Sequence, residues 1–187
     1  MFCMQVADEQ QLIQRVKERD AGAFRVLVER YMKHAYNTAF SMVRNHEDAE
    51  DIAQEAFVRI YRSIDAFRGD SEFGTWLYRI TVNASLDKIK QRKGKDEREV
   101  RNADHLADAM TSHATPAHDA VDVSGHIERA LHELPTLQRA VVILRHINGL
   151  STRQVGDILQ CSEGTVKTHL HRGLKKMRTS LQYLQEE

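Results

Sequence analysis

Cysteine is nearly absent from this chain of 187 residues: Cys3 and Cys161 are the only two, and they lie far apart. That count argues against a disulfide scaffold and fits a reducing compartment. Proline is as scarce, with two, and glycine amounts to nine. Little interrupts helices, and residues of high helix propensity dominate, so an all-α fold is expected. No apolar run approaches the roughly 18 residues of a membrane span, which excludes an integral helical membrane protein. No basic stretch followed by an apolar one opens the N-terminus, so a secretory leader is not expected. An excess of either charge is missing too, since 27 Lys plus Arg balance 27 Asp plus Glu. Zero net charge argues against a protein that coats nucleic acid unaided. There is no H-E-x-x-H, C-x-x-C, P-loop or G-x-G-x-x-G motif, and the histidines are irregularly spaced. Catalysis, metal and cofactor are therefore not expected.

What is present is uneven charge. Residues 47–55 hold Glu47, Asp48, Glu50, Asp51 and Glu55 with no Lys or Arg. Residues 88–95 hold Lys88, Lys90, Arg92, Lys93 and Lys95 with no acid, and Lys167 to Arg178 is basic again. Separate acidic and basic faces suit different partners.

Three blocks follow from the hydrophobic pattern. Residues 8–95 read as a helical domain, 96–124 as a linker and 125–184 as a second helical domain. The linker is rich in mixed charge, with Asp104, Asp108, Asp119 and Asp122, and is expected to be flexible or extended. A short helix around Ala103 to Met110 is compatible with it. In the first block a helix from about Glu47 to Ile64 buries Ala49, Ile52, Ala53, Ala56, Phe57, Ile60 and Ile64. Asp48, Asp51 and Glu55 stand on another face beside Gln54. Residues 67–74, with two glycines, form a loop. A helix from about Thr75 to Gln91 places Trp76, Leu77, Ile80 and Ala84 inward. Arg79, Asn83 and Lys90 line a different side.

In the third block, Pro135 ends one helix and opens the next. Leu137, Val141, Val142, Leu144 and Ile147 carry that helix to a stop at Asn148-Gly149. Ser151 and Gln154 have capping-box spacing. Ser162 can cap the last helix, whose expected buried stripe is Val166, Leu170, Leu174, Met177 and Leu181. Two helices around a tight turn, with Lys167, Thr168, His171, Arg172 and Lys175 on one exposed face, have the layout of a helix-turn-helix. Such side chains donate to guanine edges or phosphates. In the first block, aromatic residues around the loop stand beside Arg68, Arg79 and Asn83 and suit unpaired bases, although aromatics are as a rule core residues.

These motifs together resemble bacterial sigma factors. Asp48-Ala-Glu-Asp-Ile-Ala-Gln-Glu-Ala-Phe57 resembles their core-polymerase-binding segment. Phe67-Arg-Gly-Asp-Ser71 and Thr75-Trp-Leu-Tyr-Arg-Ile80, followed by Val82-Asn83, resemble the segments that open the promoter and read its −10 element. Leu150-Ser151 through Gly164-Thr165-Val166-Lys167 resembles their −35-reading helix-turn-helix. Order and linker length are similar to the two-domain, extracytoplasmic-function group, over roughly residues 9–184.

The resemblance implies core RNA polymerase (its largest subunits), promoter DNA and an anti-sigma protein as partners, a cytoplasmic location, and activation of a stress or envelope regulon. It implies that Asp48, Asp51, Gln54 and Glu55 face the polymerase. Arg68, Gly69, Asp70, Ser71, Phe73, Arg79 and Asn83 would handle the −10 strand, with Lys88, Lys90 and Arg92 on nearby phosphates. Ser162, Thr165, Lys167, Thr168, His171, Arg172 and Lys175 would form the −35 interface, and the linker acids would lie toward the RNA exit path. His171 departs from the aromatic or basic residue common at its position. His169 and His171 place two imidazoles in the reading helix. A helix-turn-helix repressor or activator working without polymerase is the alternative. Cys161, near a helix N-terminus, is a weaker candidate for an oxidant sensor than for a small turn residue.

Overall fold

The computed structural model describes residues 2–102 and 123–185, and all its regular structure is helical. The first block contains α1 (Phe2–Lys17), α2 (Ala21–Val43), α3 (His46–Ser63) and α4 (Phe73–Asn102). The second contains α5 (Val123–His132), α6 (Thr136–Val142), α7 (Thr152–Leu159) and α8 (Glu163–Ser180).

Local chemistry sets the starts and stops. Asp20 caps α2 by accepting from the backbone N–H groups of Gly22 and Ala23, which hold its carboxyl below the usual range together with Arg15. α2 ends where Arg44 turns left-handed (φ 52°), and Asn45 then accepts from Asp48 N–H to open α3. Glu47 and Asp48 in that first turn favour the positive end of the helix dipole. α3 buries the expected stripe from Ala49 to Ile60. In α4 the hydroxyls of Thr81 and Ser85, both fully buried, donate to the carbonyls of Leu77 and Thr81. No polar atom there is left to oppose the packing.

Three expectations are corrected. α4 begins at Phe73, inside the expected loop, and its helical backbone runs past the expected end near Gln91 to Asn102. The Ala103–Met110 helix and the four linker acids lie outside the described residues. Pro135 is the cap of α6 rather than its first residue, and α6 passes into a π-helical turn over Ile143–Ile147 before Asn148. Leu137 and Ile147 are exposed (49% and 52%), as is Leu174 (39%), because the inward face of α6 is Ala140 to Leu144 and that of α8 centres on Val166 and Gly173.

Two main cores result. Leu12, Ile13 and Val16 of α1 meet Leu27, Phe57, Ile60, Phe67, Phe73 and Leu77 in one. The other joins Leu131, Leu134, Val141, Ile143, Leu144, Leu150, Val155, Ile158 and Val166 to Met42 and Val82 of the first block. Apolar burial is therefore continuous across the two blocks.

Candidate functional site

Two surfaces lie on the first block. On α3, Asp51, Gln54 and Glu55 are exposed beside Val58. They line one wall of an open groove of about 430 Å³, with Asp87 and Lys88 of α4 on the other. Asp48 does not share this position. It is 7% exposed, and its carboxylate accepts from Lys88 Nζ at 3.1 Å and pairs with the Arg92 guanidinium. Lys88 also lies 3.7 Å from Asp51. The face is less purely acidic than residues 47–55 suggest, because Arg59 donates to Glu55 at 2.9 Å from one turn onward. Lys88 and Arg92, expected on phosphates, are thus engaged with acids of α3. Lys90, Arg79 and Asn83 are exposed.

The loop before α4 has a buried floor. Phe67 and Phe73 are 7% and 0% exposed, and their ring centroids lie 5.9 Å apart. Trp76 packs on both, at 5.2 and 5.9 Å, and Tyr31 lies 5.0 Å from Phe73. Phe73 is therefore a core residue and does not present its ring to a base. Lys17 Nζ donates to the Phe67 carbonyl at 2.7 Å and ties the loop to α1. Above this floor Arg68, Gly69, Asp70 and Ser71 are exposed. Gly69 takes φ 79°, which glycine adopts without strain. Three exposed polar side chains and the Gly69 backbone over fixed aromatics, with exposed Arg79 and Asn83 on α4, can hydrogen-bond to an unstacked strand.

The third surface is α8. Ser151 and Gln154 form the expected reciprocal capping box on α7. The turn follows with Gln160 left-handed. Ser162 accepts from Thr165 N–H at 3.1 Å and shares a hydrogen bond with the Thr165 hydroxyl. Both hydroxyls serve the cap first. A Cβ on Gly156 would sit 2.7 Å from the Cys161 carbonyl oxygen, so the tight turn needs glycine there. The sequence reading passed over this residue. Lys167, Thr168, His171, Arg172 and Lys175 are all exposed, and Thr168 bonds back to the Gly164 carbonyl. Among the described residues these three cations make no ion pair. His169 does not join them: it is half-buried, with Nδ1 enclosed, so of the two imidazoles of α8 only that of His171 is exposed.

A basic helix presented by a capped turn marks a DNA-binding transcription protein of the helix-turn-helix class. Comparison with known proteins narrows the class. Residues 27–95 match sigma-70 region 2 and residues 125–177 match sigma-70 region 4. The chain is 37% identical over 179 residues to the ECF RNA polymerase sigma factor SigW of Bacillus subtilis, spanning 92% of this chain and 96% of that one. It is 32% identical over 188 residues to the RNA polymerase sigma-H factor of Pseudomonas aeruginosa, spanning 96% of each. The chain belongs to the extracytoplasmic-function family of RNA polymerase sigma factors, which are initiation factors and not enzymes. Its fold is similar to the sigma factor RpoE in complex with the anti-sigma factor NepR from Bartonella quintana (TM-score 0.67, 23% identity, 85% of this chain and 96% of that one). It is also similar to CnrH in complex with the cytosolic domain of CnrY (TM-score 0.65, 24% identity, 92% and 96%). No helix among the described residues is long and apolar enough to cross a membrane.

Proposed function

We propose that this sigma factor divides its work among the three surfaces. Residues 8–95 form the domain that binds core polymerase and handles the −10 element. Residues 125–184 form the −35 reader, and 96–124 join them. Asp51, Gln54 and Glu55 face a basic surface of the polymerase. Arg68, Gly69, Asp70 and Ser71 take the displaced −10 strand, with Arg79 and Asn83. Lys167, Thr168, His171, Arg172 and Lys175 read the −35 duplex, while Ser162 and Thr165 place the positive N-terminal end of α8 near phosphate. Phe73 and Asp48 support these surfaces from within, and Lys88 and Arg92 hold Asp48 from α4.

The observation that carries this reading is the exposure of Lys167, His171, Arg172 and Lys175 along one side of α8. Neither DNA surface is basic enough to bind tightly alone. Polymerase would hold both at fixed separation and convert two weak contacts into one strong one. The reading places the chain in the cytoplasm. Solved relatives in complex with anti-sigma proteins support an anti-sigma partner here as well.

The test is capture of bacterial core RNA polymerase by this chain, followed by run-off transcription on a genomic promoter pool. Core binding with promoter-specific transcripts is expected. No binding to core, with a specific duplex shift by the chain alone, would instead make it a repressor or activator.

A further inference from the structure

The exposed loop at 68–71 stands on Phe67, and each group of that residue is fixed separately. Its backbone N–H donates to the Ile64 carbonyl at 3.0 Å and closes a single 3-10 turn over Ile64–Ala66. Its ring packs on Phe73 and Trp76 of α4, with centroids 5.9 and 5.2 Å away. Its carbonyl accepts from Lys17 Nζ at 2.7 Å, across fifty residues of sequence. Residues 68–72 are then exposed, and Phe73 is buried again. The Phe67 carbonyl and the Arg68 N–H share one peptide plane, so the bond from Lys17 sets the direction in which the chain enters the loop. Without it the ring would stay anchored while that plane turned, and Arg68 and Ser71 would lose their common aim.

Lys17 is the last residue of α1, so its ammonium reaches the loop from the turn that joins α1 to α2. That turn grips the same segment a second time. Arg19 Nη1 donates to the Tyr61 carbonyl at 2.8 Å, and Nη2 donates to the Asp65 carboxylate at 2.6 Å. The guanidinium also lies 5.4 Å from the centre of the Tyr61 ring. Arg19 takes φ 66°, a left-handed backbone that residues other than glycine seldom adopt. Its N–H donates to the Val16 carbonyl at 3.0 Å, and Val16 and Ile64, both fully buried, share one core. A strained residue whose guanidinium engages residues 61 and 65 with both arms is held there for that contact.

We propose that Lys17, supported by Arg19, is a positioning residue for promoter opening: it sets the loop at 68–71 in the shape that captures the displaced strand. This inference rests on the reading of that loop as the −10 surface. The side-chain bonds of Lys17 and Arg19 all end on residues 61–67, and none goes to Asp51, Gln54, Glu55 or α8. The pair therefore acts on strand capture and leaves core binding and the initial duplex complex alone.

The experiment uses the full chain assembled with core polymerase on a promoter recovered by the run-off assay. Permanganate reactivity of unpaired −10 thymines gives the opening rate, and duplex binding at low temperature gives the affinity of the closed complex. Lys17→Met keeps the aliphatic stem and removes the donor. It should open the promoter about tenfold more slowly. Circular dichroism should show it folded at the assay temperature, with core and closed-complex affinities within about twofold of the parent. Lys17→Arg can still donate to the carbonyl and should open the promoter within about threefold of the parental rate. Arg19→Gly suits the left-handed backbone and should slow opening about threefold through its lost hydrogen bonds. A parental opening rate in Lys17→Met overturns the proposal. So does a loss of opening matched by an equal loss of core affinity, or Lys17→Arg opening as slowly as Lys17→Met. If Arg68→Ala and Ser71→Ala open the promoter at the parental rate, the loop reading fails, and this inference with it. If those two are slow and Lys17→Met is not, the inference alone fails.

Discussion

Asp48 Oδ1 lies 3.1 Å from Lys88 Nζ, and the same carboxylate pairs with Arg92 one turn further along α4. A nearly buried acid thus holds two cations of a neighbouring helix, and a residue in the middle of an acidic stretch is a strut rather than a contact. Asp48→Ala should lower unfolding free energy by about 1–3 kcal/mol, because it removes a nearly buried carboxylate bonded to Lys88 and Arg92. Urea denaturation of the two proteins side by side checks this. An unchanged midpoint would mean that the pair adds nothing to stability.

Asp51 and Glu55 should behave in the opposite way. Both are exposed, so charge reversal in Asp51→Lys or Glu55→Lys should leave the urea midpoint within about 0.5 kcal/mol of the parent. Affinity for core polymerase should fall at least several-fold and depend less on salt. Titration of labelled core at two ionic strengths gives both numbers. Parental affinity in these variants would remove the acidic face from the polymerase interface.

Arg172→Ala should reduce discrimination between −35 sequences by about 1–3 kcal/mol if the guanidinium reads a base edge. Competition binding with single-substituted −35 duplexes, with polymerase present, is the measurement. A uniform loss on every duplex would assign Arg172 to a phosphate instead.

His132 predicts acid sensitivity. Its imidazole is pulled down to about 4, first by burial and then by the positive charges of Arg139 and Arg44, while the Phe40 carbonyl acts in the other direction. The folded chain keeps it neutral where the unfolded chain, with an ordinary value of 6.5, takes up a proton. Stability from this group is therefore present above about 6.5 and is lost as pH falls toward 4. The melting temperature should decline across that window. His132→Gln should flatten the decline, and an unaltered slope in that variant would show that other groups cause it.

Local signals in the sequence were read well where one side chain decides the outcome. The Ser151–Gln154 box, the Ser162 cap and the stripe on α3 depend on residues a few positions apart, and each stands as expected. The misreadings concern partners distant in sequence. Asp48 and Lys88 are forty residues apart, so nothing in residues 47–55 shows that one neutralises the other. Phe73 is expected on the −10 strand although aromatics are as a rule core, and only Tyr31 packed against it shows that it belongs to the core. Helix α4 outlasts its apolar pattern, since its backbone continues helical to Asn102 where the apolar spacing gives no signal. Arg139 was passed over altogether, since an arginine inside a helix has no local pattern that announces four backbone acceptors.

Those four acceptors have a consequence for reversibility. The Arg139 guanidinium donates to the carbonyls of Leu131, His132 and Leu134 in its own block, and only its fourth acceptor, Met42, belongs to the other. If that fourth bond were broken, three bonds would keep the guanidinium aimed as before, and a single carbonyl would be handed to water. The side chain behaves like a latch whose bolt stays seated in one half of the door. Re-forming it would need no search for the rotamer, so the bond could be broken and made again with little reordering of side chains.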